Sequence, residues 1–199
     1  MTRRNLVLTG SAVLAGLLVA AWPLGAPAAP AAPITGTIVS ASPSAVVVST
    51  DQGQKSFKVA SNTNVIMRAP ATMADITKGE WIGVDAKKGA AGDLTAVSIS
   101  IFPSDKVRQG QWTMASGDTM TNAQVTETVS GVSGHTILLT YEGGTAKIAV
   151  PQDASIHRLT FSSLSALKPQ MHATVRGKPN GDGTWTAQSI VVDSPGARH

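Results

Sequence analysis

The sequence predicts an all-β protein built as two tandem five-stranded barrels, each with one short helix between its third and fourth strands. Two observations carry that expectation. The first is a repeat: shifting the chain by 91 residues lays residues 34–101 onto residues 125–192 without a gap. Val46-Val47-Val48 then meets Ile137-Leu138-Leu139, Phe57 and Val59 meet Ile148 and Val150, and Thr95-Ala96-Val97-Ser98-Ile99 meets Thr186-Ala187-Gln188-Ser189-Ile190. The second is period-two alternation of apolar and polar residues, the mark of half-buried strands.

Taken in order, the first copy reads as strands near 34–41, 44–50, 54–60, 81–86 and 93–101, and the second as strands near 125–132, 135–141, 145–150, 171–177 and 184–192. Hairpin turns are supplied by Ser42-Pro43, Asp51-Gln52-Gly53, the stretch 131–134 and Glu142-Gly143-Gly144. Between the third and fourth strands the pattern changes. Thr72-Met73-Ala74-Asp75-Ile76 and Ser163-Leu164-Ser165-Ala166-Leu167 each begin with a capping hydroxyl and space their apolar residues three apart, as one or two buried helical turns require. Three strands, a short helix and two strands is the order of an oligonucleotide/oligosaccharide-binding (OB) type barrel.

Lys78-Gly79-Glu80-Trp81-Ile82-Gly83-Val84 and Gly92-Asp93-Leu94-Thr95-Ala96-Val97-Ser98-Ile99, with their counterparts in 171–177 and 182–190, carry a family likeness. Over nearly all of residues 34–193 the chain resembles small secreted bacterial domains of unknown function with an OB-like barrel. That resemblance implies the fold and assigns no catalytic residue. The second copy has Pro169-Gln170 where the first has Lys78-Gly79, so the turn entering its fourth strand is expected to differ.

The flanks read differently. Met1-Thr2-Arg3-Arg4, an apolar run to about Ala21 and a Pro/Ala-rich stretch form the three-part layout of an export signal over residues 1–28, followed by a spacer at 29–33. Ala26-Pro27-Ala28 offers a cleavage site, and the paired arginines also suit a twin-arginine signal, although an ordinary secretory signal begins with positive charge too. The expected address is periplasmic or secreted, with no stable membrane span once the signal is removed. Residues 104–124 read as an ordered joining segment that uses Trp112, Met114 and Met120, and residues 194–199 as a flexible tail.

Composition excludes several chemistries. With no cysteine there are no disulfides and no thiolate sites. The formal charge of +4 includes Arg3 and Arg4, and no clustered basic face of the kind nucleic acid requires is visible. No nucleophile elbow and no phosphate-cradling glycine loop occurs. The expected role is therefore a non-catalytic, cofactor-free binding or interaction module for an envelope protein or small ligand. Strand parity turns Ile82, Val84 and Ala86 inward and Trp81 outward, with His172 and Arg176 in the matching outward set. Trp81, His172, Arg176 and Trp112 are thus the candidate ligand face. The alternative is a soft-metal carrier using His157, His172, Met114 and Met120, which looks similar to periplasmic copper carriers that set His and Met beside a Trp. A second alternative is a hydrolase of unrecognised type.

Overall fold

Strand formation follows the alternation closely. The structure, a computed structural model, describes residues 32–131 and 134–194; the expected export signal, residues 29–31 of the expected spacer, Val132-Ser133 and residues 195–199 of the expected tail lie outside the described residues. In chain order the strands are β1 (Ile34–Ala41), β2 (Ala45–Thr50), β3 (Gly53–Pro70), β4 (Trp81–Lys88), β5 (Leu94–Ile101), β6 (Gly110–Thr113), β7 (Thr119–Gly131), β8 (Gly134–Tyr141), β9 (Gly144–Val150), β10 (Ser155–Phe161), β11 (His172–Pro179) and β12 (Trp185–Asp193). The expected third strand runs on to Pro70. Its counterpart is cut into β9 and β10 at Pro151, whose ring leaves no N–H to continue a ladder.

The expected short helices are only single 3-10 turns, at Met73–Asp75 and Leu164–Ala166. Three residues cannot close an α-helical turn before Ile76 and Leu167 must drop into the cores, where they are 3% and 5% exposed. In the first turn Asp75 Oδ2 accepts from the Thr72 backbone N–H at 2.8 Å and from its hydroxyl at 2.9 Å. These bonds, backbone first, hold the Asp75 carboxyl below its ordinary value.

The tandem arrangement is not what forms, because strands are exchanged between the halves. β1, β2, β3, β12 and β11 pair in that order and β11 returns to β1, closing a five-stranded barrel from three strands of the first half and two of the second. β4, β5, β9, β8 and β7 form a second ring with the opposite division, its β5–β9 edge held only by Leu94–Ile148 and Thr95–Ala149. Between the rings β10 runs antiparallel to β3 and parallel to β5, so all twelve strands belong to one sheet. The halves offer the same apolar strand pattern, so closing β3 on β12 rather than on β5 satisfies it equally well.

Two hydrophobic clusters mark the two interiors. Ile38, Val46, Val48, Phe57, Val175, Ile190 and Val192 fill one; Ile82, Val84, Ile99, Ile101, Ile137, Leu139 and Ile148 fill the other. The ring of Phe57 is fully buried, which contributes about 2–3 kcal/mol. Parity on β4 is as the alternation requires, with Ile82, Val84 and Ala86 inaccessible.

The gap-free alignment is also corrected at one strand. Thr37 pairs with Ser49, and the equivalent pair in the second half is Gln124 with Thr140, so β1 and β7 are offset by 87 residues while β2 and β8 keep 91. The four residues between lengthen the β7–β8 hairpin, and β7 starts at Thr119, inside the expected joining segment. That segment also contributes β6, which pairs with the start of β7.

Candidate functional site

The longer hairpin flanks an open concavity. Thr128, Ser130 and His135 stand over the first 3-10 turn, where Thr72, Met73, Ile76, Thr77 and Lys78 form the opposite side of an open groove of about 720 Å³. Met73 and Ile76 give its lining an apolar part, Thr72, Thr77, Thr128 and Ser130 bring hydroxyls, Lys78 brings a cation and His135 an imidazole; among the described lining residues there is no carboxylate, the nearby Asp75 and Glu80 being bonded to Thr72 and to the Thr77 N–H. Ser130 Oγ and His135 Nδ1 lie 3.3 Å apart, which ties the imidazole to the hairpin arm. The matching corner of the other barrel has the short turn Ser42–Ala45, closed by the Ser42 N–H to the Ala45 carbonyl at 2.8 Å.

The expected ligand face does not converge. His172 and Arg176 lie on β11, Trp81 on β4 and Trp112 on β6. From His172 the sheet runs through β12, β3, β10 and β5 before reaching β4, a path of about 24 Å at 4.8 Å per strand. Trp81 is half-buried, and its carbonyl accepts the Phe102 N–H at 2.8 Å. Trp112 carries the Arg108 guanidinium 4.4 Å above its ring, a cation–π contact.

Nor does the metal set assemble. Trp112 and Met120 are cross-strand partners, and Met114 lies in the adjoining turn, its N–H donating to the Asp118 carbonyl. His157 is on β10 and His172 on β11, with β3 and β12 between them. Among the described residues no three His, Cys, Asp or Glu side chains are grouped for a metal ion.

Two polar features were missed from sequence. Asp193, with 5% of its side chain exposed, accepts from Arg68 Nε at Oδ1 and lies 2.9 Å from His172 Nδ1 at Oδ2. Glu80 Oε1 accepts from Arg158 at 2.9 Å, and the same guanidinium donates to the Asp75 carbonyl. Both ion pairs join the halves, so no local motif announces them. The positions 91 residues from Arg68, Asp193 and His172 hold Leu159, Phe102 and Trp81, an apolar set in place of a charged one. On the outer face of the β4–β7 pair, Asp85 Oδ1 of β4 and Asn122 Oδ1 of β7 are buried with no hydrogen bond among the described residues. Burial, and then the Asp118 charge, push the Asp85 carboxyl above its ordinary value.

Comparison with known families bears on the first half alone. Residues 35–100 match the profile of a domain of unknown function, DUF5666. No curated protein and no solved structure matches the chain. The matched stretch ends within β5, so it spans three strands of one barrel and two of the other ring. Among the described residues no helix is long and apolar enough to cross a membrane.

Proposed function

We propose that this protein is a non-catalytic binding module of the cell envelope, built from two copies of one ancestral unit and exported by the signal at its N-terminus. Its partner is an envelope protein, which places an extended acidic segment in the groove between the β7–β8 hairpin and the Met73–Asp75 turn. The observation that carries this reading is the four-residue lengthening of that hairpin, an asymmetry between the halves that produces a concavity. A volume of about 720 Å³ falls within the range of roughly 300–1,000 Å³ typical of ligand sites. Lys78, with no carboxylate among the described lining residues, favours a negatively charged occupant.

The test is amide chemical-shift mapping with acidic peptides, on the protein and on a variant whose β7–β8 hairpin is shortened by four residues. Saturable shifts at Met73, Lys78 and His135 that vanish in the variant are expected. Shifts that survive the shortening, or none at all across the peptide panel, count against the reading. Export is tested separately by fractionating cells that make the protein with and without Arg3→Lys and Arg4→Lys; a twin-arginine signal loses export in the variant.

A further inference from the structure

Away from that groove the molecule carries a matched pair of crevices, each assembled from both halves. In one, of about 340 Å³, Lys178 and Thr186 are cross-strand partners on β11 and β12, Gln188 follows on β12, and Asn62 and Asn64 come from β3. In the other, of about 240 Å³, Lys87 and Thr95 are cross-strand partners on β4 and β5, Val97 follows, and Pro151 and Asp153 come from the β9–β10 connection. Lys178 and Lys87, Thr186 and Thr95, Gln188 and Val97, and Asn62 and Asp153 are each 91 residues apart. Strand exchange is what brings the lysine of one half against the rim of the other.

The shared elements are a lysine, a threonine and an alanine, and the rims have diverged in a chemically directed way. The larger crevice presents three carboxamides and one cation with no carboxylate; the smaller has an aspartate, a valine and a proline instead. Asn62, Asn64, Gln188 and Lys178 make no side-chain hydrogen bond to any described residue. Thr186 donates its hydroxyl proton to Asn180 Oδ1 at 2.9 Å, so its lone pairs remain as acceptors. Asn180 is itself fixed by Thr184, whose hydroxyl is 2.8 Å from Asn180 Nδ2.

We propose that the Asn62–Asn64–Lys178–Gln188 crevice is a binding site for a sugar acid, a polyhydroxylated ring bearing one carboxylate. Each carboxamide offers a donor and an acceptor, the pairing that hydroxyl groups satisfy at both ends. A small inorganic anion would use only the donors and leave three amide oxygens idle. Lys178 supplies one point charge, suited to one carboxylate. The volume lies at the lower end of small-ligand sites, about 300 Å³, and the counterpart falls below it.

The experiment titrates the isotope-labelled protein with D-glucuronate, D-glucose and inorganic phosphate while following the side-chain amides of Asn62, Asn64 and Gln188. Glucuronate is expected to shift all three saturably, with glucose weaker by about tenfold for loss of the charge-assisted contact and phosphate leaving Asn62 and Gln188 unmoved. The double variant Asn62→Asp with Gln188→Val installs the side chains of the counterpart positions Asp153 and Val97 and should weaken glucuronate by about tenfold or more. The reciprocal Asp153→Asn with Val97→Gln should create a second saturable response at Lys87. The proposal is overturned if glucuronate gives no saturable shift, if glucose or phosphate binds equally well, or if the first double variant keeps full affinity while its amide spectrum shows an intact fold.

Discussion

Arg68 pairs with Leu159 across the β3–β10 ladder, and the two are counterparts 91 residues apart. A residue facing its own counterpart marks a local two-fold axis, with Ile66–Phe161 and Pro70–His157 the flanking pairs of the register. On one side of that axis Arg68 reaches Asp193 and His172. Replacing Arg68 by Leu, the residue its counterpart carries, removes a cation from a carboxylate that is 95% buried. The expected loss is about 2 kcal/mol, less than for a fully buried pair because the guanidinium is partly solvated. Urea denaturation of Arg68→Leu measures it; an unchanged midpoint would show that the ion pair contributes nothing.

Gln170 has φ +73° where Gly79 in the first half has φ +94°. The turn is therefore conserved despite the change from Lys-Gly to Pro-Gln: the Gly79 N–H donates to the Val125 carbonyl at 2.8 Å and the Gln170 N–H to the Ile38 carbonyl at 2.9 Å. A side chain in the left-handed region costs about 1 kcal/mol. Gln170→Gly should raise stability by roughly that amount, and Gly79→Gln should lower it, since a Cβ at Gly79 meets no atom within 4 Å and the penalty is purely conformational. Thermal melts of the two variants should move in opposite directions.

Asp85 supplies a pH dependence with a definite sign. Its carboxyl titrates above the ordinary 3.8 because burial disfavours the charge. The folded state therefore holds the proton more tightly than the unfolded chain. Stability from this group is full below pH 3.8 and is lost as pH rises through the raised value. Asp85→Asn should raise stability at pH 7 by about 1 kcal/mol, a figure discounted for partial solvation, and the gain should disappear near pH 3. A constant difference across that range would contradict the assignment.

Strand exchange predicts fragment behaviour. Residues 32–116 supply β1–β6, and 117–194 supply β7–β12, so neither piece contains a complete ring. Mixed in equal amounts the two pieces should recover the circular dichroism spectrum of the whole chain and elute together. Each piece alone should show neither the spectrum nor the elution of a folded half-size monomer. A folded monomer from residues 32–116 alone would show that one half can close on itself.

Much of the strand content was legible because alternation is local: β1, β2, β4, β5, β8 and β9 begin and end within two residues of the expected bounds. The extra hairpin length was hidden for a physical reason. Offsets of 87 and 91 differ by an even number, so sliding β7 by four residues keeps every inward position inward and the ungapped alignment still looks sound. The groove built by Ser130 and His135 disappeared with it. The choice of β12 over β5 as the partner of β3 was illegible because both strands present a small or β-branched residue at each inward position, Ala187, Ile190 and Val192 against Ala96, Ile99 and Ile101. Asp193 and Arg68 are 125 residues apart, and no window along the chain contains both.

That nesting also dictates an order of assembly. β4 through β9 lie within one continuous stretch and can come together early, whereas β3 meets β12 only through pairs such as Phe57 with Trp185, far apart along the chain. Loop closure over such a span is entropically costly and slow. The inner ring is expected to condense first, from the middle of the polypeptide outward, with the strands on either side clasping last.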